Sequence, residues 1–405
     1  MEFKYINGGV CAPKGFKASG IYCGIRKNPQ KKDLALIYSD YKCTAAAVYT
    51  QNLVKGAPLI VTAKNLADGY AQAVICNSGN ANTCNSDGVE KAQKMCEIAA
   101  SALKLSPDDV IVASTGVIGQ VLNIEPIKNG ITKLVGSLRD DGNDDAAHAI
   151  MTTDTFAKQA AIEFKLNGRT CRIGAMAKGS GMIHPNMATL LCFVTTDVAI
   201  DKDVLQSTLK SAVDVTFNMV SVDGDTSTND MVAVMASGVA GNDVITGGAK
   251  AQIFEKMLTT VLRELAKMIA KDGEGATRLI ECRVSGAKDE NTAKTVAKSV
   301  ICSNLVKAAI FGADANWGRV MCAIGYSGAD VDISLIDLAF ESMGGRIEVC
   351  EKGYGLDFSE ELAKKILLEN EIRIDINLNS GSHSATAWGC DLTYDYVKIN
   401  GDYRT

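Results

Sequence analysis

The chain has 405 residues, 47% of them hydrophobic and 22% charged, with a formal net charge of -5. That length allows two or three domains with full cores, while the acidic balance leaves no basic excess to displace the counterions of a nucleic-acid backbone. No stretch approaches the roughly 18 consecutive apolar residues of a membrane span, and the N-terminus MEFKYINGGVCAPKGF is too polar and glycine-broken for a signal peptide, so a soluble cytoplasmic protein is expected.

In the first third, the apolar runs LALIYSD (34–40), AAAVYT (45–50), QAVICNSG (72–79) and DVIVAST (109–115) are punctuated by glycine and predict buried strands. The basic cluster of Arg26, Lys27, Lys31 and Lys32 between them and the N-terminus reads as a solvated loop. Residues 88–103 predict a helix, with Val89, Ala92, Met95, Ile98 and Ala99 on one face. The result is an α/β alternation. GVIGQ at 116–120 lacks the dinucleotide fingerprint and no phosphate-cradling loop occurs, so no cofactor is expected.

Residues 178–192, KGSGMIHPNMATLLC, run from a polar glycine-broken loop through Pro185 into an apolar strand pattern. A Thr at the start of a buried strand is ordinary sheet material. The surroundings of Thr189 allow a chemical reading as well. Lys178 brings a cation, Gly179 and Gly181 permit tight backbone, and small Ala188 leaves its carbonyl open. If Thr189 Oγ attacks the Ala188 carbonyl, water then releases a chain that begins with Thr189 and carries its own base. A free α-amine titrates at about 7.7 to 8.0 and can accept the hydroxyl proton, which an amide nitrogen cannot.

Beyond this strand, Asp201 or Asp203 caps a helix reaching toward Phe217, with Val204, Leu205, Leu209 and Val213 inward. A longer helix is predicted over 249–271, its stripe formed by Ile253, Met257, Val261, Leu265 and Met268 and its end by Gly273. Glu274 follows between two glycines. Negative charge there opposes the helix macrodipole, which points to a role away from the helix. From about 281 the texture shifts to a smaller α/β unit: CRVSG, a helix over 292–310, strand-like VDISLID and RIEVCEKG, a helix over 359–368, and alternating EIRIDINLN. The last segment, ATAWGCDLTYDYVKINGDYRT, is strand-like and then polar to the end.

Thirteen cysteines are spread singly with no CxxC pair, which fits reduced thiols in a cytosol, and His148, His184 and His383 show no ligand spacing. Metal binding is not expected, and His184 is read as a hydrogen-bonded loop residue.

KGSGMIHPNMATLL resembles the processing site of the ornithine acetyltransferase family, the glutamate N-acetyltransferases, which cleave themselves before this Thr and use it as acyl carrier. TAAAVYTQN (44–52), NSGNANTC (77–84), STGVIG (114–119), MTTDT (151–155), SVDGDTSTND (221–230), DGEGATR (272–278) and NGDYRT (400–405) resemble the same family in its order, over essentially the whole chain. The resemblance implies a layered α/β (α+β) sandwich of the ornithine acetyltransferase and DmpA-like type, with a smaller C-terminal α/β domain. It implies cleavage into 1–188 and 189–405; structurally, a catalytic unit spans about 1–280, the smaller domain about 281–385, and a tail of 386–405 returns to the active site.

By motif position, Thr189 is the implied nucleophile, Thr115 and Gly116 form the implied oxyanion hole, and Thr152, Lys178, Thr189, Glu274, Asn400 and Thr405 are the implied substrate ligands. MTTDT holds three threonines, so which of them binds substrate stays open. Lys178 suits a carboxylate and Glu274 an ammonium. The implied activity is ping-pong transfer of acetyl from N-acetylornithine to glutamate in arginine biosynthesis, in a dimer of the cleaved pair (a heterotetramer) or larger. Whether acetyl-CoA is also a co-substrate stays open. The alternatives are an N-terminal-nucleophile amidase or aminopeptidase of related fold, and an uncleaved binding protein.

Overall fold

The computed structural model describes residues 2–184 and 190–402. Among these, two sheets form. The first, of nine strands, runs in the order Phe3–Tyr5, Lys158–Leu166, Arg169–Lys178, Leu191–Thr196, Met231–Ala236, Leu34–Tyr49, Tyr70–Asn80, Val110–Val117, with Phe16–Ile21 paired off this path to Leu34–Tyr49. Its centre is the pair Leu191–Thr196 and Met231–Ala236, parallel and in register Leu191 to Met231. Both strands are buried throughout, and apolar except for Thr195 and Thr196, because both faces are covered. Leu191, Phe193, Met231 and Ala233 enter one core, and Cys192, Val194, Val232 and Val234 the other, as the two-residue period of a strand requires.

The helix Lys202–Asp214 is capped by Asp201, whose carboxylate accepts from the Asp203 and Val204 N–H groups, so of the two expected caps Asp201 is the one used. The helix Gly248–Lys271 packs on strands of both sheets and forms the layer between them. Met257, Val261 and Leu265 are fully buried along its stripe, while Ile253 and Met268 lie at its margin. The second sheet, of seven strands, runs Tyr354–Gly355, Gly345–Glu351, Asp337–Ser342, Glu371–Asn377, Leu279–Ala287, His383–Cys390, Val220–Ser221. A mixed α/β fold of layered sheets and helices results. Among the described residues no helix is long and apolar enough to cross a membrane.

Local chemistry redraws several expected boundaries. LALIYSD and AAAVYT are one strand, Leu34–Tyr49, because exposed Asp40, Tyr41 and Lys42 form an irregularity in register rather than a turn. The helix expected over 292–310 is two, Glu290–Cys302 and Asn304–Phe311. Ser303 ends the first and caps the second through Val306 N–H. VDISLID opens on a 3-10 turn, Ile333–Leu335, held by Asp332 on Ser334, and its strand begins only at Asp337. Gly88–Leu103 matches the expected helix, but Val89 is exposed and Cys96 and Ala100 take the inner face with Ala92, Met95 and Ala99. The polar C-terminal stretch contains the helix Tyr394–Gly401, none of whose residues is buried, which is why no apolar stripe announced it.

Candidate functional site

At one end of the first sheet, seven chain segments close around a cavity of about 280 Å³. Thr115 and Gly116 supply one wall, at the end of strand Val110–Val117, where its parallel register with Tyr70–Asn80 pairs Gly116 with Gly79 and then slips at Asn80. Gly116 has φ +131°, and a Cβ there would lie 2.4 Å from the Gly79 carbonyl carbon. Only glycine fits such an approach. Asn229 locks the turn: its Nδ2 donates to the carbonyls of Ala81 (2.6 Å) and Ser114 (3.0 Å), and its Oδ1 accepts from Thr83 and Thr228 at 2.6 Å each. All four hydrogen-bonding positions of the buried amide are thereby used.

The opposite walls carry charge of both signs. Lys178 ends strand Arg169–Lys178, and the next N–H, of Gly179, donates to Asp154 Oδ1 at 2.7 Å. Asp154 Oδ2 also accepts from Thr152 N–H at 2.9 Å, which fixes the loop bearing Thr152. Both anchors depend on Lys158, whose ammonium is fully buried between Asp154 (2.7 Å) and Asp272. Asp272 in turn accepts from Thr155 N–H at 3.0 Å. Burial alone would raise the Asp154 pKa, but Lys158, Lys178 and the Thr152 N–H outweigh it and bring the carboxyl down to about 2.

Two residues past Asp272 comes Glu274. Its N–H donates to the Ser180 carbonyl at 3.0 Å, while Ser180 Oγ donates to the Asp272 carbonyl at 2.6 Å. The glycine after it now has a reason. A Cβ on Gly275 (φ +70°) would stand 2.6 Å from Tyr396 N, so the C-terminal helix could not approach, and Thr393 Oγ1 closes that contact on the Gly275 carbonyl at 2.6 Å. Across the loop, a Cβ on Gly181 would collide with the Glu274 carboxylate at 2.3 Å. From the helix Tyr394–Gly401, Asn400 Nδ2 donates to Glu274 Oε2 at 2.8 Å.

Thr115, Gly116, Thr152, Lys178, Glu274 and Asn400 thus line a single cavity, together with Thr153. Thr155 turns away to Asp272. Ala188, Thr189 and Thr405 lie outside the described residues. Leu190, next after Thr189, is buried, and its carbonyl accepts from Met231 N–H at 2.9 Å. His184 sits with Nδ1 3.1 Å from Ser221 Oγ, its pKa pushed down to about 4 by burial and Lys298. It is the hydrogen-bonded loop residue expected. Among the described residues no three His, Cys, Asp or Glu side chains gather in a way that could hold a metal ion. Sequence reasoning missed Asn229 and Lys158. SVDGDTSTND contains the first, but nothing in the string distinguishes a hub from a turn residue.

An ArgJ family model matches residues 17–405. The arginine biosynthesis bifunctional protein ArgJ of Caldanaerobacter subterraneus subsp. tengcongensis is 50% identical over 402 residues, covering 99% of each chain. That named ArgJ 1 in Clostridium acetobutylicum is 52% identical over 392 residues, 96% of each. Among solved structures, a chain of the bifunctional protein argJ of Bacillus halodurans matches with 50% identity and a TM-score of 0.50. It aligns over 98% of its own length but only 52% of this chain.

Proposed function

Because the chain belongs to the ArgJ family, whose curated relatives are named bifunctional proteins of arginine biosynthesis, we propose that it transfers acetyl from N-acetylornithine to glutamate through an acetyl ester on Thr189. The observation that carries this reading is one cavity with Lys178 and Glu274 on its walls beside the Thr115–Gly116 turn. A zwitterionic substrate with an acylated amine needs that set: a cation for its carboxylate, an anion for its ammonium, and donors for an oxyanion.

In this mechanism the chain is first cut between Ala188 and Thr189, giving 1–188 and 189–405. The freed α-amine of Thr189 takes the Oγ proton as Oγ attacks the acetyl carbonyl of N-acetylornithine. Thr115 and Gly116 stabilise the tetrahedral oxyanion, a contribution on the order of 100-fold or more per donor. The amine proton passes to the departing ornithine, and glutamate then attacks the ester to leave as N-acetylglutamate. Thr152, Lys178, Glu274, Asn400 and Thr405 hold the substrates. The cut is supported by the Bacillus halodurans chain, which matches at nearly full length yet spans about half of this one. The bifunctional names of the relatives support acetyl-CoA as a second donor to the same Thr.

A denaturing gel and an end-product assay test the reading. Wild type should give two bands, each about half of 42.9 kDa, and Thr189→Ala one band of full length. With N-acetylornithine and glutamate the product should be N-acetylglutamate; free acetate in its place would mean an amidase. An uncleaved wild type that is active would sink the mechanism. Acetyl-CoA and glutamate alone should also give N-acetylglutamate.

A further inference from the structure

The peptide unit between Met151 and Thr152 is held on both edges. Its N–H, that of Thr152, donates to Asp154 Oδ2 at 2.9 Å, and its carbonyl, that of Met151, accepts from the Arg26 guanidinium. A planar peptide bonded on both sides has its orientation fixed, and with it the direction in which Thr152 leaves the backbone. Met151 is also the C-cap of helix Asn143–Ile150, where the helix dipole favours a cation. By sequence, Arg26 belongs to a solvated basic cluster with Lys27, Lys31 and Lys32. In the fold it is half-buried, whereas Lys27 and Lys31 are exposed. Fully buried Asp33 accounts for the difference. Its carboxylate accepts from the N–H groups of Cys23 (2.7 Å), Gly24 (3.2 Å) and Arg26 (3.0 Å), and its carbonyl from Ser78 N–H at 2.9 Å, which folds the loop over strand Tyr70–Asn80.

The same side chain meets a second wall of the cavity. A Cβ on Gly79 (φ +99°) would lie 2.8 Å from Arg26 Cγ, so the Arg26 stem packs directly on Gly79. Gly79 is in turn the residue against which Gly116 is pressed. Gly116 and Thr152 both line the cavity, while Arg26 stands outside its lining. Resting on the substrate site proposed above, we infer that Arg26 is a positioning residue for acetyl transfer, setting from behind the cavity the spacing between the Thr152 loop and the Thr115–Gly116 turn. Its guanidinium holds one wall and its stem the other, so a single side chain registers the substrate against the oxyanion donors. It takes no part in making or breaking bonds. A misplacement of about 1 Å between a substrate and the groups that act on it can cost on the order of 100-fold in rate.

The test compares N-acetylglutamate formation from N-acetylornithine and glutamate by wild type, Arg26→Met, Arg26→Lys and Lys27→Met. Arg26→Met keeps much of the stem and removes the donor. Its kcat/KM should fall by about 10- to 100-fold with the KM for N-acetylornithine raised, whereas a variant that merely left less folded enzyme would lower kcat at constant KM. Arg26→Lys, whose ammonium can donate to the same carbonyl, should recover part of the loss, and Lys27→Met should match wild type. Amide hydrogen exchange read by mass spectrometry should quicken at 151–155 in Arg26→Met and not in Lys27→Met. An unchanged KM in Arg26→Met, exchange at 151–155 as slow as in wild type, or Arg26→Lys no better than Arg26→Met overturns this inference and leaves the acetyl-transfer reading standing. A folded wild type that forms no N-acetylglutamate overturns that reading instead, and exchange at 151–155 still decides whether Arg26 holds the loop.

Discussion

Lys158 offers the sharpest quantitative test of how the site is held. Replacing it with Met keeps most of the side-chain volume and removes the charge between Asp154 and Asp272, both almost wholly buried. Breaking a buried ion pair by removing one partner typically costs about 3 to 5 kcal/mol. The Asp154 carboxyl gives a second measure: its pKa falls from 3.8 to about 2 on folding, which at 1.36 kcal/mol per unit is about 2.5 kcal/mol of charge stabilisation, net of burial. Lys178 shares in that figure, so Lys158→Met should lose about 3 kcal/mol in urea unfolding at pH 7. Because a depressed carboxylate stabilises only while ionised, this contribution is complete above about pH 4 and disappears as pH falls toward 2. Lys158 also anchors the Thr152 loop and the turn leading to Glu274, so the KM for N-acetylornithine should rise with the loss of stability. Neutralising the two carboxylates as well, in Lys158→Met/Asp154→Asn/Asp272→Asn, should recover much of the stability. A loss below about 1 kcal/mol in the single variant, or no recovery in the triple, would refute the reasoning.

Three further outcomes follow from the geometry. Gly116→Ala meets both a left-handed φ and a 2.4 Å approach to Gly79; transfer should fall by about 100-fold or more, measured as N-acetylglutamate formed, with a lowered unfolding midpoint. Asn229→Asp turns two donated hydrogen bonds into oxygen facing the Ala81 and Ser114 carbonyls, and should cost about 2 to 5 kcal/mol in chemical denaturation. Glu274→Gln keeps the contact with Asn400 but loses the charge, so the KM for N-acetylornithine should rise by about 10- to 100-fold with kcat less affected; equal loss in both would place Glu274 in the chemistry instead.

What could be read from the sequence was whatever has a local cause. The helix Gly88–Leu103 and the Asp201 cap were legible because period and capping are decided within a few residues. The cavity residues Thr115, Gly116, Thr152, Lys178, Glu274 and Asn400 were legible through family motifs, not through spacing. The bulge at Asp40–Lys42 looked like a strand boundary, since polar residues interrupt a strand and end one in the same letters. Lys158 reads as a surface residue opening an alternating strand; its burial depends on Asp272, 114 positions away. Asn229 is hidden for the same reason, as its partners Thr83, in the loop after strand Tyr70–Asn80, and Ser114, in strand Val110–Val117, are more than 100 positions away.

The order of strands in the first sheet gives the proposed cut a particular character. Leu191–Thr196 and Met231–Ala236, from the later half, lie between Arg169–Lys178 on one side and Leu34–Tyr49 on the other, both from the earlier half. A break at 188–189 would therefore leave two polypeptides braided through one hydrogen-bonded surface, and neither could depart without unzipping it from both sides. Such a nick behaves as a change of covalent bonding inside an intact body. Dilution should not part the fragments, and they should melt together. Refolding a mixture of the separated fragments would have to rebuild the middle of a sheet from two free chains, whereas the newborn chain builds it from one.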